Sequence, residues 1–210
     1  MGMPGDVLTV SDFFLGLQNW TIQGAGWSQQ GLFLEGESLA AMDSSQVTNG
    51  IWYFASPSTF LPGDMTLAYN GWLTYNLGHY EYESMGLPPM PAYDVQLVSS
   101  KKKFTMGIKG VFSEDPTYLS HLYNVRLDET FTSRNGSQWE MVNVKLPRDG
   151  KLVSRNPTKH EFIKCLQTMT GIWIRGSYFP GNEATWLRNV SIIEGSLNKG
   201  GETSQVQTLI

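Results

Sequence analysis

Residues Ile51 to Leu77 read IWYFASPSTFLPGDMTLAYNGWLTYNL. An aromatic run rich in β-formers comes first, then a loop broken by Pro57 and Pro62 and closed by Gly63-Asp64. A second aromatic segment follows, with a turn signal at Asn70-Gly71 that is read as joining a pair of strands. In the last segment Leu73, Tyr75 and Leu77 share one strand face, while Trp72, Thr74 and Asn76 share the other. Alternation of this kind decides for strands over helix and sets the expectation for the whole chain.

The composition agrees. Twenty-two glycines and ten prolines in 210 residues supply turns for many short strands, and 40% hydrophobic content is enough for a core without staples. All-β sandwiches of this length fold as one unit, so a single domain is expected over residues 11–195, after a loose leader (1–10) and before a flexible tail (196–210). The net charge of −4 leaves no basic footprint for nucleic acid. Lys101, Lys102 and Lys103 form a basic run, read as a solvated hairpin tip. Cys165 is the one cysteine, so no intrachain disulfide forms. The opening residues lack the charged and apolar regions of a signal peptide, and no apolar run reaches membrane-spanning length.

Further along, Ser11 to Trp20 reads as a first strand, and Leu32–Leu34 and Leu39–Met42 as two short strands broken at Gly36. The clustered prolines of Met85 to Pro91 require a loop. Tyr93, Val95 and Leu97 alternate, as do Phe104, Met106 and Ile108, with the polar Ser-Ser-Lys-Lys hairpin loop between them. Tyr123, Val125 and Leu127 alternate against outward Asn124, Arg126 and Asp128. Val142, Val144 and Leu146 follow the Asn135-Gly136 turn. One helix is predicted, from Thr158 to Thr170, with a Thr158/Glu161 capping box, an apolar stripe of Phe162, Leu166 and Met169, and Gly171 as its stop. Cys165 adjoins the stripe and is expected to be a buried, inert thiol. Two strands, Ile172–Tyr178 and Trp186–Ile193, then flank a turn at Pro180-Gly181-Asn182.

Several of these segments, taken in order, resemble the laminin IV type A (laminin B) family. The order is Trp52-x-x-Ala55-x-Pro57-x-x-Phe60-Leu61-x-Gly63-Asp64, then Tyr69-x-Gly71-x-Leu73-x-Tyr75-x-Leu77. Val125-Arg126-Leu127, a short helix, Ile174-Arg175-x-x-Tyr178 and Leu187-x-Asn189-Val190-x-Ile192 complete it. The resemblance spans about residues 12 to 195 and implies a jelly-roll β-sandwich, carbohydrate-binding-module-like, with one short helix. It also implies a noncatalytic role in extracellular-matrix or cell-surface adhesion and assembly, through protein or glycan contacts. In related jelly rolls two acidic side chains hold a structural calcium. Here Phe14 and Arg188 stand at those positions, so no metal or other cofactor is expected, and the Arg188 guanidinium is the candidate to fill the vacated site.

The residues supply no reactive constellation. Glu81 and Glu83, two apart on a strand, lie roughly 6–7 Å from each other, near the roughly 5–5.5 Å of a retaining glycosidase. Such a pair should come from two strands, so these read as a solvated face. His79, His121 and His160 lack metal-ligand spacing. For ligand binding the candidates are Tyr80 and Tyr82 beside Glu81 and Glu83, and Trp72 on the outer strand face. Three sequons mark Asn135, in an accessible turn, and Asn19 and Asn189, in or beside strands. The terminal Thr208-Leu209-Ile210 fits a PDZ-type contact through Thr208 and Ile210. The rival to the matrix reading is an intracellular or organellar accessory subunit that uses the sandwich to dock in a larger complex. The missing signal peptide and disulfides favour that rival. A carbohydrate-active enzyme relying on Glu81 and Glu83 is a third class.

Overall fold

A computed structural model describes residues 5–24, 31–43, 50–82, 88–99, 105–112, 120–145 and 152–195. The strands are β1 (Val7–Ser11), β2 (Thr21–Gly24), β3 (Phe33–Glu35), β4 (Ser38–Asp43), β5 (Trp52–Ala55), β6 (Trp72–Glu81) and β7 (Val95–Ser99). After them come β8 (Thr105–Ile108), β9 (His121–Arg126), β10 (Glu140–Lys145), β11 (Leu152–Arg155), helix α1 (Lys159–Thr168), β12 (Met169–Arg175) and β13 (Glu183–Ile193). One sheet has the order β3-β4-β13-β6-β9, with β1 also on β13. The other runs β11-β10-β8-β7-β12-β5-β2. All pairings are antiparallel. The described residues thus form a jelly-roll β-sandwich with one short helix.

β13 organises the first sheet. Glu183 to Leu187 pair with β4 on one side, and Val190 to Ile193 pair with β1 on that same side. β6 runs along the other side for its full length, with a bulge between Arg188 and Ser191. Between the sheets lie Leu73, Tyr75 and Leu77 of β6, Val95 and Leu97 of β7, Met106 and Ile108 of β8, and Ile172 and Ile174 of β12, all buried. These are the inward sets that alternation predicts. β5 is buried on both faces, because Tyr53 on its outer side packs against Trp173 with ring centroids 5.9 Å apart.

α1 begins as its capping box requires. Thr158 accepts from the Glu161 N–H, and the Glu161 carboxylate accepts from the Thr158 N–H. Phe162, Cys165, Leu166 and Met169 are buried, and burial pushes the Cys165 thiol up to about 12, well away from thiolate chemistry. The helix end differs from expectation. Met169 leaves the helix directly into extended backbone and starts β12, so Gly171 lies inside the strand and stops nothing. The Leu166 carbonyl, left over at that end, accepts from the Met65 N–H at 3.2 Å instead.

Other boundaries shift for identifiable reasons. β1 lies within the patternless leader, where Val7 and Val10 face solvent and backbone pairing to β13 takes the place of an apolar signal. Ser11 to Trp20 is accordingly a loop beyond Ser11. Phe13, at φ 62°, drops its ring into the core against Trp20 at 5.7 Å. Asn70-Gly71 does not join two strands: it follows a 3-10 turn at Thr66–Ala68 and launches β6 alone. Gly71 is needed there because an added Cβ would sit 2.0 Å from the Ile193 carbonyl oxygen. Asp128, expected to face outward, is 2% exposed, and its carboxylate holds the Thr130 N–H at 2.8 Å. Trp139, just before β10, and Met141 within it are buried, while Val142 is half-buried. A register shift between Met141 and Val144 breaks the simple alternation that selected the valines. The final two strands begin earlier than expected, at Met169 and Glu183, and the first of them ends at Arg175.

Candidate functional site

Charged groups are drawn into the interior where β12 ends and turns toward β13. Arg175 is the last residue of β12. Its N–H donates to the Asp94 carbonyl at 2.9 Å, which aligns the two side chains across β12 and the start of β7. Gly176 follows because the Trp52 ring occupies the space a side chain would need: a Cβ there would lie 1.9 Å from that ring.

Arg175 is 3% exposed. Its Nε donates to the Ser177 carbonyl at 2.5 Å and its Nη2 to the Met90 carbonyl at 2.6 Å, so it holds the proline-rich segment against the sandwich. The guanidinium also lies over the Tyr178 ring at 4.7 Å. Asp94 faces it, with Nη1 and Oδ1 3.6 Å apart, an ion pair longer than a hydrogen bond. The other carboxylate oxygen, Oδ2, accepts from the Val111 N–H at 2.7 Å and the Phe112 N–H at 3.1 Å. Burial raises the Asp94 carboxyl above its ordinary range, opposed by those two N–H bonds and by Arg175.

Glu183 forms a second buried node. It is 1% exposed and accepts from the Tyr178 N–H at 2.9 Å, from the Phe179 N–H at 3.2 Å and pairs with His79 Nε2 at 2.6 Å. The His79 ring is surrounded by Phe112, Tyr178 and Phe179, with centroids 5.4 to 5.7 Å away. Phe112 stacks on Tyr178 at 3.7 Å and separates the two nodes. Together they clamp the turn between β12 and β13 onto both sheets.

A cleft of about 270 Å³ opens beside the first node. Met90 and its flanking prolines form one wall, Phe112 and Tyr178 another, and Asp94 and Arg175 also line it. Lys109, Asn135 and Ser137 supply its polar rim. Lys109 lies 3.6 Å from Glu140 and over the Tyr93 ring at 4.7 Å. Asn135 caps its own turn, its Oδ1 accepting from Ser133 Oγ and the Ser137 N–H. Gly110, at φ 68°, makes room for the Asn135 amide: a Cβ would come within 1.8 Å of it.

The residues proposed from sequence do not assemble at this cleft, Asn135 apart. Trp72 is half-buried against Phe131 at 6.4 Å. It starts β6, roughly 26 Å along the strand from Tyr80. Tyr80 and Tyr82 meet edge-to-face at 4.7 Å, and Tyr82 is 48% exposed. Glu81 is half-buried and opposes Glu183 across the ladder. Glu83, Lys101 to Lys103, Thr208 and Ile210 lie outside the described residues. Asn19, Asn135 and Asn189 are all exposed. Asn19 and Asn189 occupy turn or bulge conformations at φ 61° and 52°, so neither is locked into regular strand. Phe14 and Arg188 are both exposed, so the guanidinium does not fill an interior calcium position. Among the described residues no three His, Cys, Asp or Glu side chains come together to hold a metal ion.

Sequence reasoning missed Asp94 and the pairing of His79 with Glu183, and it gave no chemistry to Arg175 and Tyr178, although both stand in the Ile174-Arg175-x-x-Tyr178 motif. The available signal was a charged residue closing the apolar strand run Ile172-Trp173-Ile174.

Comparison with known proteins places the fold. The L4b domain of human laminin alpha-2 matches with a TM-score of 0.63 at 13% identity, covering 90% of this chain and 98% of that one. No curated protein matches the chain. The family model described as Laminin B (Domain IV) matches residues 53–207, from the aromatic strand that opens the decisive stretch onward. Spanning well over half of the 210 residues, that match means that the chain belongs to the Laminin B (Domain IV) family.

Proposed function

We propose that the chain is a noncatalytic structural and binding module of the extracellular matrix, acting in adhesion and assembly through contacts with proteins and glycans. Family membership over residues 53–207 is the observation that carries this reading. The chemistry of the interior supports it. Asp94, Arg175, His79 and Glu183 are each held by several fixed partners, which suits a rigid scaffold better than a site that must shuttle protons. The exposed Asn19, Asn135 and Asn189 provide sites for N-glycans in the secretory pathway. Tyr80 and Tyr82, with Glu81 and Glu83, remain the proposed contact patch at one end of β6, and Trp72 a contact at the other. The chain end, through Thr208 and Ile210, is proposed for a PDZ-type contact.

Peptide-level mass spectrometry on protein from its native source tests the compartment. A glycan at any of the three asparagines, or a processed leader, is the expected result. Three bare asparagines with the start at Met1 or Gly2 would overturn it. That outcome would favour the second reading, an intracellular docking subunit, which the single cysteine supports.

A further inference from the structure

We infer that the cleft beside Arg175 and Asp94 binds one neutral, hydroxyl-rich sugar ring. The inference deepens the reading of the chain as a noncatalytic binding module and rests on it.

Charge comes first. Lys109 and Arg175 bring two cations to the cleft; Asp94, the partner of Arg175, lines it too, and Glu140 pairs with Lys109 from outside the lining. With each cation already paired to a carboxylate, the site offers an ionised ligand no unpaired opposite charge.

Hydrogen-bonding capacity comes second. Arg175 Nη1 and Asp94 Oδ1 stand 3.6 Å apart, an ion pair stretched beyond a good hydrogen bond, so donor and acceptor each keep capacity for a closer partner. A hydroxyl is both acceptor and donor, so one hydroxyl satisfies both at once. Asn135 spends its carbonyl oxygen on its own turn, which leaves its NH2 for the rim beside the Ser137 hydroxyl and the Lys109 ammonium. A side-chain amide from a peptide can serve one such pair. A ring carrying hydroxyls around its perimeter serves the deep pair and the rim together.

Size and walls come third. About 270 Å³ lies just below the span of roughly 300–1,000 Å³ usual for small-molecule sites. It suits one ring rather than a chain. Met90 and Phe112 offer apolar surface for the C–H face of that ring. The buried ion pair and the Met90 anchor hold these walls in place before a ligand arrives, which lowers the ordering cost of binding.

The test is amide-resolved NMR on the full chain from a bacterial host, where Asn135 carries no glycan to cover the rim. The probes are methyl β-D-glucopyranoside, methyl β-D-galactopyranoside and N-acetyl-D-glucosamine. D-glucuronic acid serves as the charged control and acetamide as the amide control. At least one neutral sugar should shift the Gly110, Phe112 and Ser137 amides with millimolar half-saturation. Ser137→Ala should weaken it about five-fold, with unchanged melting. Asn135→Ala provides a second variant should Ser137→Ala perturb the turn.

No shift from any neutral sugar at about 50 mM would overturn the inference. So would shifts confined to Tyr80 and Tyr82, or glucuronic acid or acetamide binding as tightly as the best neutral sugar. These failures leave the matrix-module reading standing, because that reading is decided by sequon modification. Release of methanol from a methyl glycoside would instead overturn the noncatalytic reading while leaving the cleft occupied.

Discussion

Glu183 holds His79 Nε2 at 2.6 Å across the β6–β13 ladder while its carboxylate also accepts the N–H groups of Tyr178 and Phe179. One side chain therefore closes the turn after β12 and ties it to the centre of the opposite sheet. Because Glu183 is 1% exposed, water cannot replace it if it is removed.

Glu183→Ala should accordingly leave two N–H groups and an imidazole without their acceptor. At about 1–3 kcal/mol for each buried group left unmet, the loss should reach about 3 kcal/mol or more. Glu183→Gln keeps one acceptor oxygen and should lose clearly less. Urea denaturation of both variants checks this, and equal losses would show that the carboxylate is not the organising group.

The Arg175–Asp94 pair makes a different prediction, because each partner has its own backbone bonds. Arg175→Met leaves Asp94 buried without its cation and should cost about 3–5 kcal/mol. Adding Asp94→Asn removes the stranded charge, and the amide oxygen still accepts from Val111 or Phe112. The double variant should thus be more stable than Arg175→Met alone, as a double-mutant cycle by denaturation would show.

Asp94 also gives a pH signature. Burial raises its carboxyl above the ordinary value of 3.8. A raised acid favours the folded state fully below that unfolded value, and the contribution is lost as pH rises through the folded one. Asp94→Asn should therefore remove a fall in stability that the parent shows as pH rises from about 4. Melting temperatures of both proteins across that range read the difference.

How legible these features were in the sequence depends on which interaction made them. Leu73, Tyr75 and Leu77 followed from alternation alone, since β6 has one face on the core. The Thr158–Glu161 box followed from local spacing of three residues. β1 did not, because its pairing to β13 is backbone chemistry over more than 180 residues and two of its apolar side chains face solvent. Arg175 and Asp94 lie 81 residues apart, and Glu183 and His79 104 apart. Only the fold brings them together, and a period-based reading assigns such charges to the surface by default. Tyr80 and Tyr82 were legible as a pair, but nothing local revealed that the cleft forms elsewhere, from four segments far apart in the chain.

Gly176 should be among the least replaceable residues of the chain. A Cβ there would meet the Trp52 ring at 1.9 Å, and Trp52 is fully buried with its own N–H bonded to Ser177 Oγ. Gly176→Ala should cost about 3 kcal/mol by overpacking. Gly171→Ala is the control, since its nearest neighbour would be an ordinary 3.7 Å away. That variant should change stability by less than about 1 kcal/mol. Comparable losses in the two would mean that the Trp52 contact is not what fixes the turn.

The ion pair at the helix cap contributes to the acid limb of stability. Arg155 bonds Glu161 through Nη1 at 2.9 Å and Nη2 at 2.5 Å, and Thr158 adds its N–H and hydroxyl. These partners, Arg155 foremost, lower the Glu161 carboxyl from 4.5 to about 2. A depressed acid contributes stability that is complete above the unfolded value and lost as pH falls through the folded one. The parent should therefore lose stability between pH 4.5 and about 2, with Glu161 as one contributor. Glu161→Gln keeps a capping-box acceptor for the Thr158 N–H but gives up the charge. It should be less stable than the parent near neutrality, by no more than about 1 kcal/mol for so accessible a pair. The two proteins should converge near pH 2. Thr158→Ala, which removes the cap itself, should cost about 1 kcal/mol and leave most of the Arg155-dependent limb in place. Chemical denaturation of the three proteins at pH 7 and pH 2 separates the cap from the charge. A Glu161→Gln deficit that stayed constant with pH would rule out the ion pair as its source.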